Sequence, residues 1–387
     1  MKRAVILILD GVGIGAAPDA EAYGDSGSDT LGNLSRACGG LSLPRLERLG
    51  LGNISDIMGM RRRGDAAGAW GTMRPASAGK DSTAGHWEIA GIQLERPFPT
   101  FPNGFPKDVL DPFVRETGRA VIGNVVASGT EVMERYAAEH EKSGAWIVYT
   151  SADSVFQVAA HEEVVPLPEL YRACEAARKI LRPPHDVSRV IARPFLGAAG
   201  TYQRTANRRD YSVEPPQETL LDALRAAGVG RSGVGKVDDL FGGRSIESRH
   251  TSSNAEGIRL IREWLGSAES GLLFANLVDF DQLFGHRNDV PGFYGALREF
   301  DAALPSITSL LKEDDLLFIT ADHGNDPTTP STDHAREMVP LLASGMRVVP
   351  GNLGERDTFS DLGATVAEWF GIPFRGRGTS FLPELVV

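Results

Sequence analysis

Between Leu316 and His334 the chain reads LLFITADHGNDPTTPSTDH. Asp322 and His323 close an apolar run that has the make-up of a buried strand. His334 falls on the loop that must follow, because Asn325, Asp326, Pro327 and Pro330 neither continue a strand nor start a long helix. Two histidines and a carboxylate in that setting suit a borderline divalent cation such as Mn²⁺ or Zn²⁺, which accepts mixed nitrogen and oxygen ligands. Read alone, the stretch would serve equally well as a solvated polar loop.

Two other apolar runs end in the same way. Ala4–Leu9 runs into Asp10, and Leu272–Val278 runs into Asp279 and Asp281, with His286 close behind. Continuous aliphatic runs without alternation fit strands buried on both faces of a parallel sheet, and ligand sites of open α/β sheets gather at the C-terminal strand ends. Asp10, Asp281, His286, Asp322, His323 and His334 are therefore expected in one pocket. These are too many ligands for a single tetrahedral site and fit a two-metal site, which clamps a transferring phosphoryl group. The glycines after Asp10 (GVGIG, 11–15) lack the spacing and following helix of a dinucleotide fingerprint and read as a tight turn.

A nucleophile has a place as well. In KDSTAGHWE (80–88), Asp81, Ser82 and Thr83 are helix N-cap types, and Ala84–Ala90 can form the helix. Free backbone N–H groups and the positive dipole end stabilise an alkoxide or a phosphoryl group at such a hydroxyl. Beside a metal site Thr83 is a candidate nucleophile; without one it is a cap.

The elements that must position these residues divide the chain in three. Gly91–Pro106 is dense in Pro, Gly and Phe and reads as a domain entry, and Glu214-Pro215-Pro216 is a second boundary. Between them helical stretches (Pro106–Thr117, Leu167–Leu181) alternate with β-rich runs (Ala120–Val126, Ala145–Thr150, Val187–Ala192). The expected organisation is a core from 1–97 and 215–387 with a smaller α/β unit, 98–214, inserted. Arg193, Arg204, Arg208 and Arg209 collect late in the insertion, where they suit either a phosphate or a solvated surface.

The chain has 387 residues, 42% of them hydrophobic, and a formal net charge of -11, which disfavours nucleic acid and anionic membranes as partners. An anionic substrate then needs a local cationic site or a bound metal. Two cysteines, Cys38 and Cys174, without CxxC spacing argue against a disulfide framework and fit a reducing compartment. Ala4–Leu9 is too short for a signal-peptide core, and no run approaches membrane-spanning length, so the cytoplasm is the expected location.

An N-terminal strand-Asp, a Thr or Ser at a helix start, Asp-x4-His, Asp-His-Gly and a late His together resemble the alkaline phosphatase superfamily. Within it, KDSTAGHWE (80–88), DFDQLFGHRND (279–289), TADHGNDPT (320–328) and STDHAREMVPLL (331–342) are similar to the phosphopentomutase family. APDA (17–20), IARPF (191–195), NRRDY (207–211) and GVGKVDDLF (233–241) add to the likeness, which spans nearly the whole chain. The cofactor-independent phosphoglycerate mutases share the metal pattern but are longer and place a Ser nucleophile in a different context. The resemblance implies an alkaline-phosphatase-like core, with a largely parallel sheet flanked by helices and the insertion as a cap closing over the sugar phosphate. It further implies two Mn²⁺, one held by Asp281, His286 and His334, the other by Asp10, Asp322, His323 and Thr83. Thr83 would carry the phosphoryl group as phosphothreonine, and Asp153, Arg193, Arg208 and Lys236 would contact substrate, with Arg204 and Arg209 as neighbours of Arg208 that could take its place. The implied reaction interconverts α-D-ribose 1-phosphate and ribose 5-phosphate, and the 2-deoxyribose pair, with a priming bisphosphate such as glucose 1,6-bisphosphate. One departure is Gly11, where many members of the family have Ser. A metal-dependent phosphatase, another phosphosugar mutase and a non-catalytic metal-binding protein are the competing readings.

Overall fold

Arg3–Leu9 forms a strand buried along its whole length in the computed structural model, which describes residues 2–151 and 153–387. It pairs in parallel with Gly271–Leu277 on one side and Asp315–Thr320 on the other. Burial of each Val, Ile or Leu side chain contributes roughly 1.5–3 kcal/mol, so the run Val5–Leu9 accounts for the central place of this strand. Its register is fixed at the start by a buried ion pair: Arg3 Nε donates to Asp315 Oδ1 at 2.9 Å, while Nη1 donates to the Leu265 carbonyl at 2.8 Å. A one-residue slip would leave both charges buried and unpaired, a loss of about 3–5 kcal/mol. Counting on from the Ile8–Thr320 pair, the same register brings Asp10 and Asp322 out at one sheet edge.

Among the described residues the sheet has eight strands in the order Ser248–Arg249, Arg231–Val234, Gly271–Leu277, Arg3–Leu9, Asp315–Thr320, Val339–Ser344, Ala69–Met73 and Gly351–Arg356. Val339–Ser344 runs antiparallel to both neighbours, and the remaining pairings are parallel. Helix Asn254–Gly266 packs on Gly271–Leu277, and Val290–Thr308 packs on that helix in turn. This is the alkaline-phosphatase-like mixed α/β core that the resemblance implies. The chain up to Pro97 and from Pro215 to Val387 makes up this unit. The second unit is Phe98–Glu214.

In the second unit Val121–Val126, Trp146–Thr150, Val155–His161 and Arg189–Leu196 lie side by side, and Gln203–Arg204 and Arg209–Ser212 both pair antiparallel with Arg189–Leu196. Helices Lys107–Thr117 and Leu167–Ile180 bury Val109, Phe113, Leu170 and Cys174 in one apolar cluster. Helix Gly129–Ser143 buries Val132, Met133 and Ala137 in another, with Ile147, Tyr149 and Phe195. This helix and the strand Val155–His161 are additions to the elements expected from sequence. No helix of the described residues is long and apolar enough to cross a membrane.

Candidate active site

The nucleophile candidate lies on helix Ser82–Ile89, which starts two residues before the expected Ala84–Ala90 and ends one residue before it. Asp81 is the cap: its Oδ1 accepts from the Ala84 amide at 3.1 Å, which leaves Thr83 inside the first turn. Thr83 through Ile89 are all buried, so the helix is held on every side. Glu88 anchors it by accepting from the Ala76, Ser77 and Phe359 amides and the Thr358 hydroxyl at 2.7–3.0 Å. Such full satisfaction offsets the cost of burying a carboxylate. Gly85 allows the helix to meet the Asp322 segment, since a Cβ there would stand 2.0 Å from the Asp322 carbonyl oxygen. Ser82 Oγ lies 3.0 Å from His323 Nε2, so the Thr83 turn borders the strand ends.

At those ends the acids and histidines converge. Ligand atoms of Asp281, His286 and His334 all lie within 4.8 Å of one another, and so do those of Asp10, Asp281 and His323. Asp281 thus belongs to both groups. Its Oδ2 is 3.1 Å from His286 Nε2, and its Oδ1 is 3.4 Å from His334 Nε2. His323 Nε2 is 3.3 Å from Asp10 Oδ1 and 3.6 Å from Asp322 Oδ2. Asp322 stands just outside both groups, with Oδ1 accepting from the Gly11 amide at 3.3 Å and Oδ2 3.1 Å from His86 Nδ1.

The surroundings hold these side chains in place. His286 Nδ1 bonds the Thr332 carbonyl at 2.6 Å and His323 Nδ1 the Gly324 carbonyl at 3.0 Å. A carbonyl only accepts, so each Nδ1 carries a proton, and in the neutral ring each Nε2 has its lone pair to offer the site. Asn276 Nδ2 donates to Asp10 Oδ2 at 3.0 Å and Asn325 Nδ2 to Asp281 Oδ1 at 2.6 Å. Asp10 Oδ1, Asp322 Oδ2 and His334 Nε2 are buried without a hydrogen-bond partner among the described residues. Orphaned oxygen and nitrogen atoms aimed at one space fit a divalent cation with mixed ligands.

The electrostatics agree. Burial, with the charges of Asp322 and Asp281, raises the Asp10 carboxyl. Burial would also raise Asp281, but His334 and His286 hold it well below the ordinary carboxylate range. Burial would lower His286, yet Asp281 pushes it up to about 9. His323 is likewise raised against its burial by Asp322 and Asp10. The cluster draws positive charge to itself.

Gly11 is explained by the same packing. Its φ is +74°, and a Cβ would stand 2.9 Å from Asn325 Cβ and 3.5 Å from Asp281 Cβ. A side chain at this position would therefore disturb the bend that leaves Asp10 facing the cluster.

The expected substrate contacts are placed as follows. Lys236, in the core, bonds Gln282 Oε1, next to Asp281. In the inserted unit Arg193 is half-buried, with Nε donating to Gln157 Oε1 at 3.0 Å. Arg208 grips Asp210 through Nε and Nη2 at 2.7 and 2.6 Å, and Arg209 lies over the Tyr171 ring at 4.0 Å. Asp153 is exposed, its Oδ2 3.4 Å from Ser151 Oγ. Sequence reasoning gave no role to His86, Asn276 or Asn325. The signals were an amide inside the apolar run LLFANLV and a histidine inside the nucleophile motif.

Comparison with known proteins bears on this arrangement. Residues 2–373 match the family model of the metalloenzyme superfamily. The chain is 54% identical to the phosphopentomutase of Desulfitobacterium hafniense over 388 residues, covering 100% of both chains. It is 55% identical to that of Dictyoglomus thermophilum over 389 residues, covering 100% of this chain and 99% of the other. A phosphoglycerate mutase structure from Leishmania mexicana superposes with a TM-score of 0.50 at 11% identity over 98% of this chain and 97% of that one, a likeness of fold.

Proposed function

The chain belongs to the phosphopentomutase family of the metalloenzyme superfamily, and on that premise we propose that it interconverts α-D-ribose 1-phosphate and D-ribose 5-phosphate, and the 2-deoxyribose pair, through phosphothreonine at Thr83. The observation that carries this reading is the meeting of the Thr83 helix turn with the strand-end cluster, Ser82 Oγ standing 3.0 Å from His323 Nε2. Asp281, His286 and His334 would hold one Mn²⁺; Asp10, Asp322, His323 and Thr83 would hold the other, with Asp281 in reach of both groups. When bound, the ions neutralise charge on the transferring phosphoryl group and lower the pKa of the Thr83 hydroxyl.

The residues of the chain account for the rest. The phosphorylated Thr83 gives its phosphoryl group to the free hydroxyl of the incoming monophosphate: the Thr83 O–P bond breaks, a new sugar O–P bond forms, and the sugar hydroxyl proton passes to the freed Thr83 oxygen, to be handed to the freed sugar oxygen in the return step. The resulting bisphosphate reorients and returns its other phosphoryl group to the Thr83 oxygen. The positive end of helix Ser82–Ile89 stabilises that oxygen in both charged forms. Arg193, Arg208 and Lys236 would grip phosphate through charge-assisted hydrogen bonds, and Asp153 would accept from a sugar hydroxyl. Glucose 1,6-bisphosphate would prime Thr83. Water must be kept out, since hydrolysis of the phosphothreonine would turn a mutase into a phosphatase.

The test is intact-protein mass before and after incubation with Mn²⁺ and glucose 1,6-bisphosphate, on wild type and Thr83→Ala. A gain of one phosphoryl group in wild type alone is expected. Release of free phosphate with no lasting gain would establish a phosphatase instead. A gain in both proteins would place the nucleophile elsewhere.

A further inference from the structure

His86 sits on the nucleophile helix, one turn beyond Ser82, and is fully buried. Its ring stacks on Phe274, a residue of the strand Gly271–Leu277, with centroids 5.3 Å apart and planes 20° apart. Nδ1 faces two acceptors: the Ser82 carbonyl at 2.9 Å and Asp322 Oδ2 at 3.1 Å. The carbonyl takes the better-aligned share of the hydrogen. Nε2 is buried and has no hydrogen-bond partner among the described residues. With acceptors on one side and none on the other, the neutral ring keeps its proton on Nδ1.

That proton joins two elements that have to keep register. Ser82 immediately precedes Thr83, and Asp322 closes the strand that also delivers His323. Asp322 Oδ2 has no partner of full hydrogen-bond geometry, while Oδ1 is turned toward the Gly11 amide at 3.3 Å. Of the two oxygens of Asp322, Oδ1 accepts from the Gly11 amide, and Oδ2 stands 3.1 Å from His86 Nδ1. Gly85, one residue before His86, lets the helix close on the backbone of the same aspartate.

We propose that His86 is a positioning residue: its Nδ1–H orients the Asp322 carboxylate and locks it in register with the helix turn that carries Thr83. The inference rests on the two-metal reading above, in which Asp322 is a ligand. Donors behind a metal-binding side chain fix its orientation, and their loss typically weakens metal binding 10–100-fold.

Two substitutions separate the hydrogen bond from the ring. His86→Phe keeps a stacked ring and removes the donor. His86→Asn removes the ring and keeps an N–H near the position of Nδ1. Mn²⁺ stoichiometry and affinity are read by calorimetry and by the electron paramagnetic resonance of free Mn²⁺, alongside thermal melting. We expect wild type to bind two Mn²⁺, His86→Phe to bind one of them about 10–100-fold more weakly, and His86→Asn to recover most of the loss despite a lower melting temperature. Equal binding by His86→Phe and wild type, or a loss in His86→Asn as large as in His86→Phe, overturns the proposal. Wild type that fails to bind two ions would instead sink the two-metal reading on which it stands. Should His86→Phe not fold, the ring ¹⁵N shifts of ¹⁵N-histidine-labelled wild type decide the matter: an Nδ1–H tautomer is required, and an Nε2–H tautomer overturns the proposal.

Discussion

The strand-end cluster of the core and the arginine face of the inserted unit carry charge in opposite ways. In the core, Asp10, Asp281 and Asp322 are buried, no fixed Lys or Arg pairs with them in the ion pairs of the described residues, and Asp10 Oδ1 and Asp322 Oδ2 have no hydrogen-bond partner there. In the insertion, Arg208 brings its own counter-ion, Asp210, and Arg209 its own ring, Tyr171; both arginines are exposed. Buried, unsatisfied groups are costly and call for a resident ion. Exposed cations that are already partnered are stable without a ligand and can exchange a partner for a passing phosphate. The first arrangement suits a cofactor that stays and the second a substrate that leaves.

The sharpest way to break this contrast is at Thr83. Thr83→Ala should lower mutase turnover by roughly 10⁴-fold or more, the scale of losing a covalent nucleophile, while Mn²⁺ binding through the Asp281, His286 and His334 group persists. Coupled assay of ribose 5-phosphate formation and Mn²⁺ titration of the same sample check both halves. Turnover within tenfold of wild type would mean that the core edge binds metal for some other purpose.

Next in size is the shared carboxylate. Because Asp281 lies in both ligand groups and Asp10 in one, Asp281→Asn should weaken both Mn²⁺ sites by more than about 100-fold, beyond what losing an outer-shell donor costs. Asp10→Asn should weaken one. Loss of a single ion in Asp281→Asn would assign Asp281 to one site alone.

How much of this was legible in the sequence follows from the same physics. Ala4–Leu9, Leu272–Val278 and Leu316–Ile319 are buried on both faces, so composition alone marks them, and an acid after each marks the edge. The helix of Thr83 was legible from its three capping-type residues, of which Asp81 is the cap. Asn276 stood out only as an amide inside an apolar run and Asn325 not at all, because the partner carboxylate of each lies more than 40 residues away in sequence. Helix Gly129–Ser143 is mostly polar and turns only a narrow apolar face, Val132, Met133 and Ala137, to its sheet. Among the three neighbouring arginines, sequence offered no choice; contact with Tyr171 occupies Arg209 and Asp210 occupies Arg208.

The insertion side of the contrast is tested more gently. Arg193→Ala should raise the KM for ribose 5-phosphate about 10–100-fold, since a hydrogen bond to a charged group contributes roughly 1.5–3 kcal/mol, with kcat less affected. Arg208→Ala should cost less, because Arg208 must share its guanidinium with Asp210. If Arg208→Ala proves the more damaging, the internal ion pair presents the arginine to substrate and is not a resting partner.

A last effect, on stability and not on turnover, concerns a third way of carrying charge, which is to remove it. Glu337 is buried beneath the glycine turn after Asp10 and accepts from the Thr30 amide and hydroxyl at 2.9 Å and from the Gly15 amide at 3.3 Å. Burial nevertheless outweighs these donors and pushes its carboxyl up to about 8 from 4.5. The folded protein therefore holds a proton that the unfolded chain gives up above pH 4.5. This contribution to stability must decline as pH rises from about 4.5 to about 8, by at most about 1.4 kcal/mol per pH unit, and level off beyond. Glu337→Gln mimics the protonated acid and should be free of that decline. Melts of metal-free wild type and Glu337→Gln between pH 5 and 8.5 should nearly coincide at the acidic end and separate toward the alkaline end, with the variant the more stable. Parallel curves would show that Glu337 is ionised throughout and that the three donors suffice to hold a buried anion with no cation beside it, which would remove the need for a resident ion as the explanation of the orphaned carboxylates nearby.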